Sequence, residues 1–306
     1  MRRIKNHLLY GLARLLLGLL ELLPTGTALA LGRALGRLGY RVARRERDRA
    51  LRNLRAAGPR DLDEAGRRRL LRRMFVHLGE SVAECAQLPR LRRRPDLVRF
   101  APGSREAMEA ALAEKRGVLF VTGHLGNWEL MAAALARLAP SAGVLFKPSY
   151  DPRFTRLLCS FRARSGLHGI DVTRPGHLAE AARLLRGGGA LGLLNDQPPP
   201  ARDGARDVAV PFLGRLALTS RLAPVLARRT GAAVVAGCTR RTGTCQHEVR
   251  IVRLVDPHDW RALGDALSTL AAPLEEAILR APDQWVWSLD RWRGTGPGQK
   301  SSPYCK

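Results

Sequence analysis

Hydrophobic and polar positions fall into two regimes along the chain. Up to about residue 75, apolar side chains recur every third or fourth position and basic residues fill the faces between them. "HLLYGLARLLLGLLELL" sets Leu8, Leu9, Leu12, Leu15, Leu16, Leu19 and Leu22 around most of a helix. His7, Arg14 and Glu21, spaced by sevens, share one narrow stripe of it. Pro24, Thr25 and Gly26 end that helix. Beyond it, "GRALGRLGYRVARRERDRALRNLRAAG" and "GRRRLLRRMF" keep Leu and Ala at helical spacing beneath a coat of arginine.

From residue 105 the period changes. "REAMEAALAEKRG" predicts a helix, and "VLFVTG" is a fully apolar, β-branched run of the kind that forms a strand buried on both faces. "NWELMAAALARLAP" predicts a helix, "AGVLFKP" a second strand, and the segment from Asp151 to Ser165 another helix. "HLAEAARLLRGG" and "ALGLLND" repeat the pair, followed by a Pro-rich loop, the segment "VAVPFLG" and a helix over "ALTSRLAPVLARRTG". "AAVVAGCTRR" and "EVRIVRLV" predict two further strands, and "WRALGDALSTLAAPLEEAILRAP" a closing helix. Strands alternating with helices give an α/β fold, with a mixed, largely parallel sheet flanked by helices. The division expected is 1–26 for an amino-terminal helix, 27–104 for a basic helical region, 105–293 for the core and 294–306 for a disordered tail.

The amino-terminal helix begins like a signal peptide, but no small-x-small site follows closely and the next stretch is strongly basic. His7 to Leu23 is 17 residues, at the short end of a bilayer span, and it contains Arg14 and Glu21. A wide leucine face flanked by Arg2, Arg3 and Lys5 suits the plane of an anionic membrane surface. An ordinary core helix is the alternative.

Composition narrows the function. At 306 residues and 45% hydrophobic, the chain is long and apolar enough to fold. Its 52 Lys and Arg against 27 Asp and Glu leave a net charge of +25, which calls for an anionic partner. No helix-turn-helix, RNP or zinc-finger pattern accompanies the charge, so nucleic acid is not the expected one. Cys85, Cys159, Cys238, Cys245 and Cys305 are odd in number, scattered and without a C-x-x-C pair. They predict reduced thiols rather than disulfides or a zinc site.

In parallel sheets the chemistry gathers at the carboxyl ends of the strands. His124, Lys147 and Asp196 each follow a predicted strand. A neutral imidazole can take a proton from a hydroxyl, and a carboxylate on its other nitrogen fixes the tautomer. Asn127 is suited to cap the next helix, which puts Glu129 in its first turn, within reach of His124. No G-x-S-x-G elbow is present, so the pair fits direct attack by a substrate hydroxyl. On the spacing alone, a capping glutamate beside a core histidine remains an equal alternative.

"GHLGNWEL" at 123–130 closely resembles the H-x4-D/E motif of glycerolipid acyltransferases, in the form used by the bacterial lipid A late (lauroyl/myristoyl) acyltransferases. "LFKPSYDP", "LLNDQPP", "VPFLG" and "APDQWVWSLDRWR" resemble that family's later blocks, in its order, and "ALRNLRAA" is similar as well. Lys147 stands where the family usually has Arg, and Asp290 reverses a charge in the last block. The resemblance implies a glycerolipid-acyltransferase-like fold and transfer of a fatty acyl chain from an acyl thioester to a hydroxyl. His124 would be the base and Glu129 its orienting carboxylate. Lys147, Arg153 and Arg156 would hold an anionic part of a substrate, Gln197 would bind substrate, and Asp196 would orient the acceptor or a cationic partner, a helix cap or a salt bridge being its alternative. It implies acidic acyl carrier protein as donor, a lipid A precursor or similar anionic glycolipid as acceptor, and no metal or redox cofactor. The implied location is the cytoplasmic face of the bacterial inner membrane. Two other readings stay open: acyl-CoA-dependent transfer to phosphatidylinositol mannoside or another polar lipid, and a non-catalytic binder of anionic lipid or nucleic acid.

Overall fold

The computed structural model describes residues 2–91, 93–199, 208–254 and 256–295. The first regime is helical: α1 (Arg2–Leu22), α2 (Thr25–Val42), α3 (Arg44–Ala57), α4 (Glu64–Ala86) and a single turn, α5 (Leu88–Leu91). Asp63 caps α4, its Oδ1 accepting from the Gly66 N–H at 2.6 Å. α4 runs well past the point where the periodicity fades. His77, Ser81 and Glu84 interrupt the apolar pattern there, yet all three are buried. Helices α2 and α4 cross in close contact through Gly32, Gly36 and Gly79. A Cβ on Gly36 would lie 2.3 Å from the Phe75 carbonyl oxygen, so only glycine permits this approach.

One side of α1 is packed: Leu20 is wholly buried in a cluster with Leu29, Ala83 and Leu88. The Gln87 side-chain amide donates to the Leu20 and Leu23 carbonyls at 2.9 and 2.7 Å, satisfying the carboxyl end of the helix. The other side is bare, with Leu8, Leu12, Leu15 and Leu22 exposed. Among the described residues no helix is long and apolar enough to cross a membrane.

The second regime comprises β1 (Val98–Phe100), α6 (Ser104–Ala113), β2 (Val118–Thr122), α7 (Trp128–Leu135), β3 (Ala142–Phe146), α8 (Pro152–Arg164) and β4 (Leu167–Asp171). Then come α9 (His177–Arg186), β5 (Ala190–Leu194), β6 (Val208–Phe212), β7 (Arg215–Thr219), α10 (Leu222–Thr230), β8 (Ala233–Gly243), β9 (Gln246–Arg253) and α11 (Leu263–Arg280). Seven strands form one sheet in the order β1-β9-β8-β2-β5-β3-β4. Every pairing is parallel except β8 with β9. This is the α/β architecture the alternation predicts. β2, all five of whose residues are buried, sits at its centre.

Four strands escaped the hydrophobic pattern, β6 among them, where "VAVPFLG" carried no strand assignment. β1 is only three residues long, and β4 is a short edge strand with polar residues at His168 and Asp171. β7 lies where a helix starting at Ala217 is expected; instead it forms a hairpin with β6. The turn is Leu213–Gly214, with φ of 50° and 72°, and its tightness pairs residues that helical propensity alone would have wound up.

The helical and α/β regions share a core. Leu54, Leu70 and Met74 pack in one cluster with Phe212, Ile278, Trp285 and Trp287. Asn53 clasps the carboxyl-terminal segment, its amide donating to the Trp287 and Leu289 carbonyls at 2.8 and 2.7 Å. Of the tail expected to be disordered, residues 296–306 lie outside the described residues.

Candidate active site

β2 and β5 are neighbours in register, Thr122 opposite Leu194. Two residues past each strand end stand His124 and Asp196, so the sheet itself brings them together. His124 Nδ1 lies 2.7 Å from Asp196 Oδ1, and the His124 backbone N–H donates to Asp196 Oδ2 at 2.7 Å. The indole N–H of Trp285 donates to the same Oδ2 at 2.9 Å. Asp196 is completely buried, yet these donors hold its carboxyl below the usual carboxylate range against the opposing effect of burial. An ionised carboxylate only accepts, so the Nδ1 proton of His124 points at Asp196 and the Nε2 lone pair is left facing outward. Burial alone would depress the imidazole; the Asp196 charge and hydrogen bond outweigh it, with a further contribution from Glu129, and raise its pKa.

The expected partnership of His124 with Glu129 is therefore corrected: the carboxylate on Nδ1 is Asp196. Glu129 does occupy the first turn of α7, behind the Asn127 cap, whose Oδ1 accepts from the Leu130 N–H at 3.1 Å. Its carboxylate turns to α8 instead and takes a two-point hydrogen bond from Arg162, Nε at 3.0 Å and Nη2 at 2.5 Å. The fork of a guanidinium outcompetes an imidazole already engaged elsewhere. Arg162 is buried, lies over the Phe146 ring, and its Nη1 has no hydrogen-bond partner among the described residues.

The loop between β2 and α7 is held from behind. Gly126 has φ of 62°, and a Cβ there would meet the Thr239 carbonyl oxygen at 2.1 Å, so this position requires glycine. The closing segment pairs with the loop: the Gly126 N–H donates to the Gln284 carbonyl at 3.1 Å, and the Val286 N–H to the His124 carbonyl at 3.2 Å. The Trp128 ring stands edge-on to the imidazole at 4.9 Å.

In front of His124 lies a cavity of about 1040 Å³. Its walls carry His124, Glu129, Arg162 and apolar residues including Leu78, Leu145, Phe154, Phe161 and Leu193. A second, narrow pocket of about 50 Å³ shares Trp128, Glu129, Arg162 and Leu193 with it, and runs on beneath α7 among Phe120, Met131, Leu135 and Val144. Of the anion-holding residues expected, Lys147 lines the large cavity. Arg153 does not reach it; it is tied two-fold to Asp151 and lies over the Tyr10 ring. Arg156 is exposed on α8, outside the cavity lining. Gln197 lines the cavity, its Nε2 3.5 Å from His124 Nε2. The structure adds cations that spacing could not single out: Arg49, Arg162 and Arg293. Asp290 lies on the same rim. Cys85 also faces the cavity, but burial, with Glu129 and Glu84 nearby, pushes its thiol far up, which leaves it a poor nucleophile.

An imidazole whose Nδ1 is held by a buried carboxylate, and which lines a large cavity with apolar walls, can take up a proton there. The sequence model of the bacterial lipid A biosynthesis acyltransferases matches residues 3–294. The chain belongs to that family. The match covers nearly every described residue, the helical region included, so this lipid A biosynthesis acyltransferase family member is an acyltransferase, an enzyme of EC 2.3.1 type. No curated protein matches it significantly.

Proposed function

We propose that the enzyme transfers a fatty acyl chain from an acyl thioester, with acyl carrier protein as donor, to a hydroxyl of a lipid A precursor or similar glycolipid. The observation that carries this is the orientation of His124: Nδ1 is committed to buried Asp196, and the imidazole lines a large cavity with apolar walls. The acyl chain lies along the apolar wall of the large cavity, against Leu145, Phe154, Phe161 and Leu193, which leaves the thioester carbonyl beside His124. Nε2 removes the proton of the acceptor hydroxyl as its oxygen attacks that carbonyl carbon. Asp196 stabilises the imidazolium that forms. The unpartnered Nη1 of Arg162 supplies positive charge near the tetrahedral oxyanion, and losing such a donor typically costs ~10²–10³ in rate. Collapse breaks the C–S bond, and the departing thiolate takes the proton back from His124.

Lys147, Arg49 and Arg293 suit the phosphates of the acceptor, and the +25 net charge suits an acidic carrier protein. The bare leucine side of α1 supports an interfacial seat on the cytoplasmic face of the inner membrane. The test offers acyl carrier protein and CoA thioesters with a panel of acceptor lipids to the purified protein in detergent, and follows thioester consumption and acylated lipid together. Activity is expected for the parent and at least 10³-fold less, roughly, for His124→Ala. Equal turnover by His124→Ala sinks the mechanism; CoA preference moves the donor to the second reading.

A further inference from the structure

Helix α4 separates two cavities. Leu78, Ser81, Val82 and Cys85 face the catalytic one. Arg72, Arg73, Val76, His77 and Glu80 face another, of about 690 Å³. At 3.6 residues per turn the two sets lie on opposite sides of the helix. The second cavity, an open concavity, is also lined by Arg37, Tyr40 and Arg41 of α2, and by Arg241, Asp283 and Gln284.

Its charges do not balance. Asp283 is taken by Arg73 at 2.9 Å. Glu80 is taken by Arg33 at 3.0 Å and by Arg241 at 3.6 Å. Arg241 is further neutralised by buried Glu84. Arg37, Arg41 and Arg72 have no carboxylate partner among the described residues. Arg37 and Arg41 are one helical turn apart, a like-charge spacing that destabilises a helix unless an anion relieves it. Arg72 is steadied by the face of Tyr40, its guanidinium 5.4 Å from the ring centre. The floor adds no charge, since burial and the neighbouring Arg241 press the His77 imidazole down to about 4. Arg37, Arg41 and Arg72 are solvent-exposed and line one concavity, and the guanidinium fork is the side-chain group that suits a phosphate.

We propose that this cavity is a second binding site, distinct from the catalytic one, for a phosphate ester. Phosphate on a lipid headgroup and phosphate on a soluble ester offer the same chemistry, and the experiment separates them. Calorimetric titration of the full-length protein uses glycerol 3-phosphate in one arm and a short-chain phosphatidic acid below its micelle concentration in the other. Four proteins are compared: the parent, Arg37→Ala/Arg41→Ala in the cavity, Arg45→Ala/Arg52→Ala as a charge-matched control on α3, and Lys147→Ala/Arg293→Ala in the catalytic cavity. In at least one arm the control should bind like the parent, and the catalytic-cavity variant should keep the binding event that Arg37→Ala/Arg41→Ala loses. Arg37→Ala/Arg41→Ala should bind at least about tenfold more weakly, while its Tm stays within a few degrees of the parent's. Should that variant unfold, Arg37→Lys/Arg41→Lys, which keeps charge but loses the fork, takes its place and should lie between the two. The arm that responds names the source. No binding in either arm, equal weakening of the control, or loss confined to the catalytic-cavity variant overturns the proposal. Because binding is read without turnover, the outcome is independent of whether the acyl-transfer mechanism holds.

Discussion

Two buried carboxylates sit back to back across the loop that carries His124, each with a histidine against it, and only one of them is equipped for chemistry. Asp196 accepts from His124, 2.7 Å away, and from Trp285; no guanidinium hydrogen-bonds it among the described residues. Glu84 accepts from His247 at 3.0 Å, from the Asn127 amide at 2.8 Å, and from both terminal nitrogens of Arg241 at 2.5 and 2.8 Å. At Glu84 the fork of Arg241 already cancels the charge, and His247 is sealed from every cavity wall described above. At Asp196 the ion that can cancel the charge by direct contact is an imidazolium, so the protein favours protonation of the one histidine that also faces the substrate cavity. A carboxylate beside a histidine is thus a scaffold or a base according to what else neutralises it.

The sharpest way to break the comparison is Asp196→Asn. The amide keeps the size but can present its N–H to Nδ1, which turns the imidazole to the wrong tautomer. A loss of roughly 10²–10⁴ in kcat is expected. The pH dependence carries a sign. On the proposed mechanism His124 acts when neutral, so activity should fall as pH drops through its folded pKa, which Asp196 holds raised. Removing that charge should move the acid limb of the residual activity to lower pH. An unmoved limb would mean that Asp196 does not set the protonation of His124.

Glu84→Ala tests the other member. It strands Arg241 without its buried counter-ion and frees the Asn127 amide, so it should destabilise the protein by about 3–5 kcal/mol, read as a fall in Tm or in the denaturant midpoint. Sign also separates the two sites here. Hydrogen bonds from His247 and Arg241 hold the Glu84 carboxyl well below its normal range despite burial. Its contribution is therefore present above the unfolded pKa and fades as pH falls toward the lowered folded one. Acid should narrow the gap in stability between Glu84→Ala and the parent. A variant that loses activity at unchanged Tm would place Glu84 with the catalytic group instead.

Why the sequence separated these residues only in part follows from the same comparison. His124 was legible because it ends an apolar run, and strand ends are where α/β sheets keep their chemistry. Asp196 was legible as a strand-end residue, but its partner was not: pairing depends on β2 and β5 being adjacent, and strand order is invisible to periodicity. Glu129 looked the better partner because it is near in sequence, and the guanidinium that claims it comes from α8, thirty-three residues on. Arg162 is one arginine among several in that helix, with nothing in its spacing to mark it. Glu84 and His247, likewise, are brought together by a hairpin and a helix 163 residues apart.

The finest cut through the comparison is Trp285→Phe, which deletes one hydrogen bond to Asp196 and keeps the aromatic bulk. Trp285 is fully buried, and its ring also packs edge-on against Trp287 at 4.8 Å, so the phenyl ring should preserve most of the core. A neutral donor lost from a buried carboxylate is worth about 1.5–3 kcal/mol at most, and two N–H groups of His124 still serve Asp196. The remaining charge draws harder on the imidazole. The acid limb should therefore shift to higher pH, opposite in direction to Asp196→Asn, with kcat at its plateau reduced by about tenfold or less. Opposite shifts from two changes at one carboxylate would show that its charge, rather than the shape of the pocket, governs His124. Shifts in the same direction would assign Trp285 to packing alone.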